Sequence, residues 1–390
     1  MNDLSSRIQI EWKNGISDVS KADWDSLALS LDTPFLEWEW IYLIESSNSA
    51  SPEYGWVPKH LLLWLDKRLV GAALLYLKYN SSGEFVFDHI WWELSEKMGV
   101  SYYPKLIGMT PFTPVSGYRF LIAPDMEESI LTGIMTESID DFCQKSGIAS
   151  CNFNFVDKEW KSVMEKQGLS AWHHQNFIWE NPGYASFDEY LAEFKTNQRK
   201  NIKKERNQLK KQEITVQCFT GKEISIEYVR LMYEFYHRTN EIYGPWACKY
   251  LTREFFDQLY DSYRHRSLFI AAFEPADDNP VGMSMLVYKG DWLFGRYWGS
   301  RKYIPYLHFE LCYYKPIEWS IATGIKYYDP GMGGYHKLRR GFRVVSNYSL
   351  HRFYDSRLSW IFNMYIDEIN RMEQEQNEYL NCEVPIKMNK

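Results

Sequence analysis

The sequence predicts an α+β fold built as two consecutive mixed units, and three observations carry that expectation. The chain has 390 residues, too many for one core of ordinary size and too few for three domains of roughly 150–200 residues each. Hydrophobic residues make up 45% and charged residues 24%, the balance of a globular chain rather than a disordered one. Helices, then an antiparallel hairpin, then helix and strand are read once before about residue 180 and again after it. That order places the domains at 1–180 and 181–390.

In the first half, spacing predicts a helix over 20–31 and an aromatic-rich helix over 34–45 containing FLEWEWIYLIE. Apolar runs over 60–65 and 69–79 flank Asp66-Lys67-Arg68 and read as a hairpin, with 84–88 as a third short strand. Helices follow over 91–98 and 127–146, where Ile130, Ile134 and Ile139 recur at helical spacing. A strand over 148–156 leads to a helix over 158–168 that ends on its glycine. In the second half, Ser186 reads as the N-cap of one long helix over 187–212. A strand over 215–219, helices over 225–243 and 252–260, and strands over 268–273, 281–288 and 292–298 come next. A helix over 309–323 then feeds a strand over 325–328, and 357–380 closes the chain as an amphipathic helix.

Forty-four Lys+Arg against 51 Asp+Glu leave a net charge of −7, which excludes a protein that coats nucleic acid generally. Aromatic residues reach 17%, more ring surface than two cores need, so rings are expected to line clefts as well. The cysteines Cys143, Cys151, Cys218, Cys248, Cys312 and Cys382 are scattered without a CxxC pair. They read as reduced thiols, with neither a disulfide frame nor a metal site. The first 15 residues lack the apolar core of a signal peptide, and the best apolar run, 61–77, is broken by Asp66, Lys67 and Arg68. The expectation is a soluble, cytoplasmic chain with no integral membrane segment.

Two segments concentrate chemistry. Between 195 and 211 lie Lys195, Arg199, Lys200, Lys203, Lys204, Arg206, Lys210 and Lys211 against Glu205 alone. So polarised a helix in an acidic protein points to a polyanion such as RNA, a pyrophosphate or an anionic lipid; a merely solvated face is the plain alternative. The second segment is DPGMGGYHKLRRGF, 329–342, directly after a strand. Its glycines permit close approach of backbone amides to a ligand, and His336, Lys337, Arg339 and Arg340 follow at once. Asp329 or His336 would handle a proton, with Lys337 and Arg339 as electrostatic partners. The loop is neither GxxxxGK[ST] nor GxGxxG, and HExxH and GxSxG are absent from the sequence.

The segments TPFLEWEWIYLIE (33–45), GEFVFDHIW (83–91), YYPKLIGMTPFTPVSG (102–117), RKNIKKER (199–206), GRYWGS (295–300), LHFELCYY (307–314) and DPGMGGYHKLRRGF (329–342) together resemble the bacterial FemAB-like, GNAT-related N-acyltransferases, a group often described as peptidoglycan biosynthesis or recognition proteins. The resemblance covers about 33–355. It implies two tandem GNAT-like domains with mixed sheets, the basic helix 187–212 in the second, and a C-terminal helix. It implies Asp329, His336 and Lys337 as catalytic residues. Asp88, Tyr103, Lys105, Thr113, Arg296, Tyr297, Trp298, His308, Glu310, Gly333, Gly334 and Arg339 would then be substrate-binding, with helix capping the alternative for His308 and Glu310 and packing the alternative for the rigid loop 111–114. Arg199, Lys200, Lys203, Lys204 and Arg206 would hold donor phosphates.

No cofactor is expected to stay bound. Acyl-CoA or aminoacyl-tRNA would serve as co-substrate, tRNA as a partner, and a small-molecule or peptide amine as acceptor. Two departures from the family pattern stand out. SRKYIPYLHF (300–309) is not the Q/R-x-x-G-x-G/A loop that holds the pyrophosphate of coenzyme A. Asp329 and Tyr335 stand where the family carries glutamates, so 335 offers no carboxylate base. An N-acyltransferase is the leading expectation. A degenerate transferase that only recognises RNA or a cell-wall precursor is the other.

Overall fold

The computed structural model describes residues 7–244 and 248–387. It divides into two compact units, one running to His174 and resuming over Ser346–Gln374, the other comprising Gln175–Val345 and the residues from Glu375.

The first unit opens with β1 (Gln9–Lys13), α1 (Lys21–Ala28) and α2 (Trp38–Ser46). The Ser20 side chain caps α1 by accepting from the Asp23 N–H. Trp24 Nε1 donates to the Leu36 carbonyl at 2.8 Å, within a 3-10 turn over Pro34–Leu36. The stretch expected as one helix from 34 is therefore a turn followed by a helix. Next come β2 (Val57–Pro58), β3 (His60–Leu65), β4 (Arg68–Ala73) and β5 (Leu75–Lys78). The hairpin forms as expected, but the run read as a single strand to 79 breaks at Leu74. Its first part, β4, lies in the sheet ordered β1-β3-β4 and its second part, β5, in another.

Beyond these strands lie α3 (His89–Met98), β6 (Lys105–Gly108), β7 (Leu121–Ile122), α4 (Glu128–Lys145), β8 (Ser150–Asn154) and α5 (Lys158–Lys166). β7 completes the first sheet beside β4. In the second sheet β5 pairs with β2 and β6 antiparallel, while β6 and β8 run parallel.

The second unit carries the end of β9 (Ser170–Glu180), then α6 (Phe187–Ala192), α7 (Thr196–Lys211), β10 (Thr215–Thr220), α8 (Ile226–Tyr243), α9 (Arg253–Ser262), β11 (Ser267–Phe273), β12 (Gly282–Lys289) and β13 (Trp292–Ser300). A composite helix, α10, follows as Leu307–Phe309, a π-helical turn over Glu310–Tyr314, and Lys315–Thr323. β14 (Tyr327–Asp329), a 3-10 turn (Tyr335–Arg340), β15 (Arg343–Phe353) and α11 (Ser356–Cys382) end the chain. The single helix expected over 187–212 is two. Phe194 forms a β-bridge with Ile386, and the Lys195 N–H donates to the Pro385 carbonyl at 2.9 Å, so the backbone there is extended.

The sheet of the second unit runs β10-β11-β12-β13-β14-β9. All its ladders are antiparallel except β13 with β14. Its core gathers Phe177, Trp179, Ile202, Leu268, Leu293, Leu311, Ile317 and Tyr328, each large buried side chain contributing roughly 1.5–3 kcal/mol. Gly299 lets α8 cross β13 closely, because a Cβ there would lie 2.3 Å from the Phe235 carbonyl oxygen.

The expected boundary at 180/181 is corrected by the end of the chain. Ser349–Phe353 of β15 pair with β8, and Leu358, Phe362 and Ile366 of α11 pack with Trp91, Tyr102 and Phe353. These contacts return 346–374 to the first unit. β9 and β15 are strands although both are rich in polar residues.

Candidate functional site

β13 is the strand around which the second unit's candidate residues gather. On one edge it pairs with β12, and the register slips between Met285 and Leu286, which face Tyr297 and Gly295. Arg296 is thereby the extra residue of a β-bulge, a feature that re-aims side chains near sites. On the other edge β13 pairs with β14 over only Trp292↔Tyr327, Leu293↔Tyr328 and Phe294↔Asp329. β14 ends there while β13 continues to Ser300. Beyond the last pair lies a pocket of about 80 Å³, its wall including Gly295, Arg296, Tyr297, Trp298, His308 and Tyr313.

The glycine loop starts at the end of β14. Asp329 is buried, and its carboxylate accepts from Asn176 Nδ2 at 2.9 Å and from the Gly331 N–H at 2.8 Å. Burial raises its pKa above the ordinary carboxylate range, offset by those two bonds and by Lys337 and Arg296. Asp329 thus anchors the loop to β9. Lys337 is buried too, and its ammonium donates to the carbonyls of Gly331 and Met332. Burial lowers its pKa to about 8, against the opposing charge of Asp329.

Gly333 and Gly334 have φ of 71° and 88°. At Gly334 a Cβ would lie 2.5 Å from His336 Cε1, so only glycine admits the imidazole against the loop. The His336 ring is half-buried, with Nε2 2.8 Å from the Tyr313 hydroxyl and its centroid 6.0 Å from that of His308. Burial, then the charges of Arg340 and Lys337, lowers its pKa to about 4. His308 is lowered to about 3 by burial, then by His336, Arg340 and Lys337. Both rings are neutral at pH 7. His308 also packs at a tilt on Trp298, ring centres 4.5 Å apart, while Tyr297 packs on Tyr236 at 4.9 Å.

Other expected residues lie elsewhere. Glu310 is buried and bound by Arg206, with Nη2 to Oε1 at 2.7 Å and Nε to Oε2 at 3.0 Å. Arg206 also reaches Glu318 at 3.3 Å. The expected phosphate ligand and the expected substrate ligand therefore neutralise each other, and neither role fits the structure. Arg199, Lys200, Lys203 and Lys204 stay on the outward part of α7, while Ile202 and Leu209 face the core. Arg339 is exposed, and its carbonyl accepts from Gln198 Nε2 at 2.7 Å.

Asp88, Tyr103, Lys105 and Thr113 belong to the first unit. Lys105 is fully buried, its ammonium 2.8 Å from Glu84 and 2.6 Å from Asp88. The Tyr102 hydroxyl donates to Asp88, and Tyr103 shares a hydrogen bond with Ser81, both at 2.8 Å. The buried Thr113 donates to the Pro111 carbonyl at 3.0 Å. Lys105, Asp88 and Thr113 as direct substrate contacts are corrected to internal links, because Lys105 and Asp88 bind each other and the buried Thr113 hydroxyl binds the Pro111 carbonyl of its own loop. The segment expected as a strand over 84–88 is instead the loop that delivers Glu84 and Asp88 to Lys105.

Sequence reasoning missed Asn176, Glu84 and Tyr313. Asn176 is a buried polar residue whose partner, Asp329, lies far off in sequence, and Glu84 is a buried one inside the segment misread as a strand. Tyr313 sits within LHFELCYY, whose aromatic spacing reads as ordinary helix packing.

A family model described as FemAB-like, peptidoglycan biosynthesis/recognition, matches residues 15–388. The chain belongs to the FemAB-like family. Its fold is similar to that of FemX, at 12% identity and a TM-score of 0.54 over 90% of this chain and 99% of that one. A conserved protein of unknown function from Bacteroides thetaiotaomicron is also similar, at 10% identity and a TM-score of 0.52 over 88% and 99%. No curated protein matches the chain. The FemAB-like chain therefore has a tandem GNAT-like fold with mixed sheets. Among the described residues no cluster of His, Cys, Asp or Glu is arranged to hold a metal ion, and no helix is long and apolar enough to cross a membrane.

Proposed function

We propose that this FemAB-like chain transfers an activated acyl or aminoacyl group to the amine of a small molecule or peptide, with a cell-wall precursor as the acceptor the family suggests. The observation that carries this reading is the parting of β13 from β14 at Phe294↔Asp329, with a pocket beyond it. Such a reaction needs the acyl carbonyl held, the amine aligned and deprotonated, and the charge developing on oxygen met by fixed donors. Past Phe294 no ladder joins β13 to β14, the Trp298 carbonyl accepting instead from Thr239 Oγ1 at 3.0 Å, and the space between the parted strands is suited to the donor's acyl portion.

The neutral His336 can accept a proton. Lys337 and Asp329 hold the loop that presents it, a positioning task rather than contact with the reacting atoms. Arg199, Lys200, Lys203 and Lys204 face outward with no carboxylate bound as tightly as the one on Arg206, and they fit a phosphate chain. Those cations favour aminoacyl-tRNA over acyl-CoA as donor, since SRKYIPYLHF lacks the glycine loop suited to a pyrophosphate.

The test is turnover. The purified chain is mixed with an aminoacyl-tRNA or with acetyl-CoA, together with an amine acceptor, and product is followed. Wild type should form the amide, and His336→Ala should lose on the order of 10²-fold in rate while still binding donor. Donor binding without product in the wild type would overturn transfer in favour of recognition alone.

A further inference from the structure

Tyr313 lines the pocket where β13 and β14 part, whereas His336 is not part of that wall. The imidazole stands behind Tyr313, with Nε2 2.8 Å from its hydroxyl. Tyr313 reaches this place from the π-helical turn of α10, where the extra residue shifts side chains off the ordinary helical register, as such turns often do at functional sites. A group bound in the pocket meets Tyr313 and His308, and His336 lies beyond them, hydrogen-bonded to Tyr313.

We propose that Tyr313 is a catalytic residue that contacts the incoming amine and relays its proton to His336. The relay rests on the acyl-transfer reading above. As the amine nitrogen uses its electron pair to form the new C–N bond, one N–H proton moves to the Tyr313 oxygen while the phenolic proton moves to His336 Nε2. When the tetrahedral intermediate collapses, the bond from the acyl carbon to the donor's ester oxygen or thioester sulfur breaks with its electron pair. That atom takes back a proton passed from His336 through Tyr313. Amide and free donor alcohol or thiol result, and the protein ends with the protons it began with.

The surroundings suit a transient stay of the proton on His336. Arg340 and Lys337 act on it by charge from its own turn, Arg340 being paired with Glu205 of α7 at 2.9 Å and Lys337 turned onto the Gly331 and Met332 carbonyls, while His308 and Phe309 pack against it from α10. The Arg340 guanidinium lies 5.9 Å from the Tyr313 ring centre. Glu310, the carboxylate on the same π turn, is bound to Arg206. Two cations and a neutral imidazole disfavour a lasting imidazolium, which drives the proton on to the leaving group.

Two measurements separate the relay from the reading beneath it. In the full chain labelled with 15N-histidine, Tyr313→Phe removes the hydroxyl that meets Nε2 of the ring, so the His336 nitrogen signals move. Unmoved signals contradict the relay, whatever the substrate. In the turnover assay with aminoacyl-tRNA and acetyl-CoA, Tyr313→Phe lowers kcat about 100-fold with KM and melting temperature unchanged, and Tyr313→Phe combined with His336→Ala is no worse than His336→Ala alone. If wild type transfers and Tyr313→Phe keeps its kcat, the relay is wrong. If wild type transfers from neither donor, the acyl-transfer reading is wrong and the relay falls with it.

Discussion

His336 and Lys337 are neighbours in sequence with opposite placements, one facing Tyr313 and the other turned inward onto the carbonyls of Gly331 and Met332. The sequence displayed the chemistry of 329–342 but not this partition, because a 3-10 turn sends adjacent side chains apart. It hid the fate of Arg206 for another reason, since Glu310 and Glu318 lie more than 100 positions away. The inward lysine has a consequence in alkali. With a native pKa near 8 against an ordinary 10.5, native Lys337 gives up its proton first as pH rises, while the unfolded chain still holds it. The unfolded state then binds more protons, so this residue makes stability rise between about pH 8 and 10.5. Relative to Lys337→Met, wild type should gain on the order of 3 kcal/mol across that window, read from denaturant unfolding at pH 7.5 and 10.5. A difference between the two proteins that does not change with pH would contradict the burial of the ammonium.

At the scale of elements, α7 keeps its hydrophobic residues Ile202 and Leu209 inward and its lysines outward, as amphipathic spacing foretold. The join to α6 was not legible, because Phe194 is drawn out of helix by a bridge to Ile386 near the other end of the chain. β9 and β15 escaped notice since SAWHHQNFIWE and RVVSNYSLHRF carry polar residues that read as loop. Their polar groups find buried partners instead: Asn176 donates to Asp329, and His351 is linked to Ser349 and Asn152 at 2.7 and 3.1 Å. If α7 grips a phosphate chain, Lys203→Ala with Lys204→Ala should weaken binding of tRNA about tenfold in 0.1 M salt. The slope of log affinity against log salt should become shallower by about 2. Arg206→Ala should leave that slope unchanged and lower the melting temperature, because it strands the buried Glu310. A salt slope unaffected by the two lysines would remove the polyanion role.

Over the whole molecule, the repeated order of helices, hairpin and strand was enough to announce two mixed units, and each unit does hold one parallel pair within an otherwise antiparallel sheet, β6 with β8 and β13 with β14. The return of Ser346–Gln374 to the first unit was not legible, since nothing local in a strand names the distant strand it will join. The site followed the same rule: residue types were visible, whereas the parting of two strands belongs to the assembled sheet. That parting is the claim on which the function rests, and amide hydrogen exchange of the full chain tests it most directly. With saturating aminoacyl-tRNA or acetyl-CoA, peptides covering 293–300 and 329–337 should exchange more slowly. Protection confined to other segments, or no protection by either donor, would contradict it.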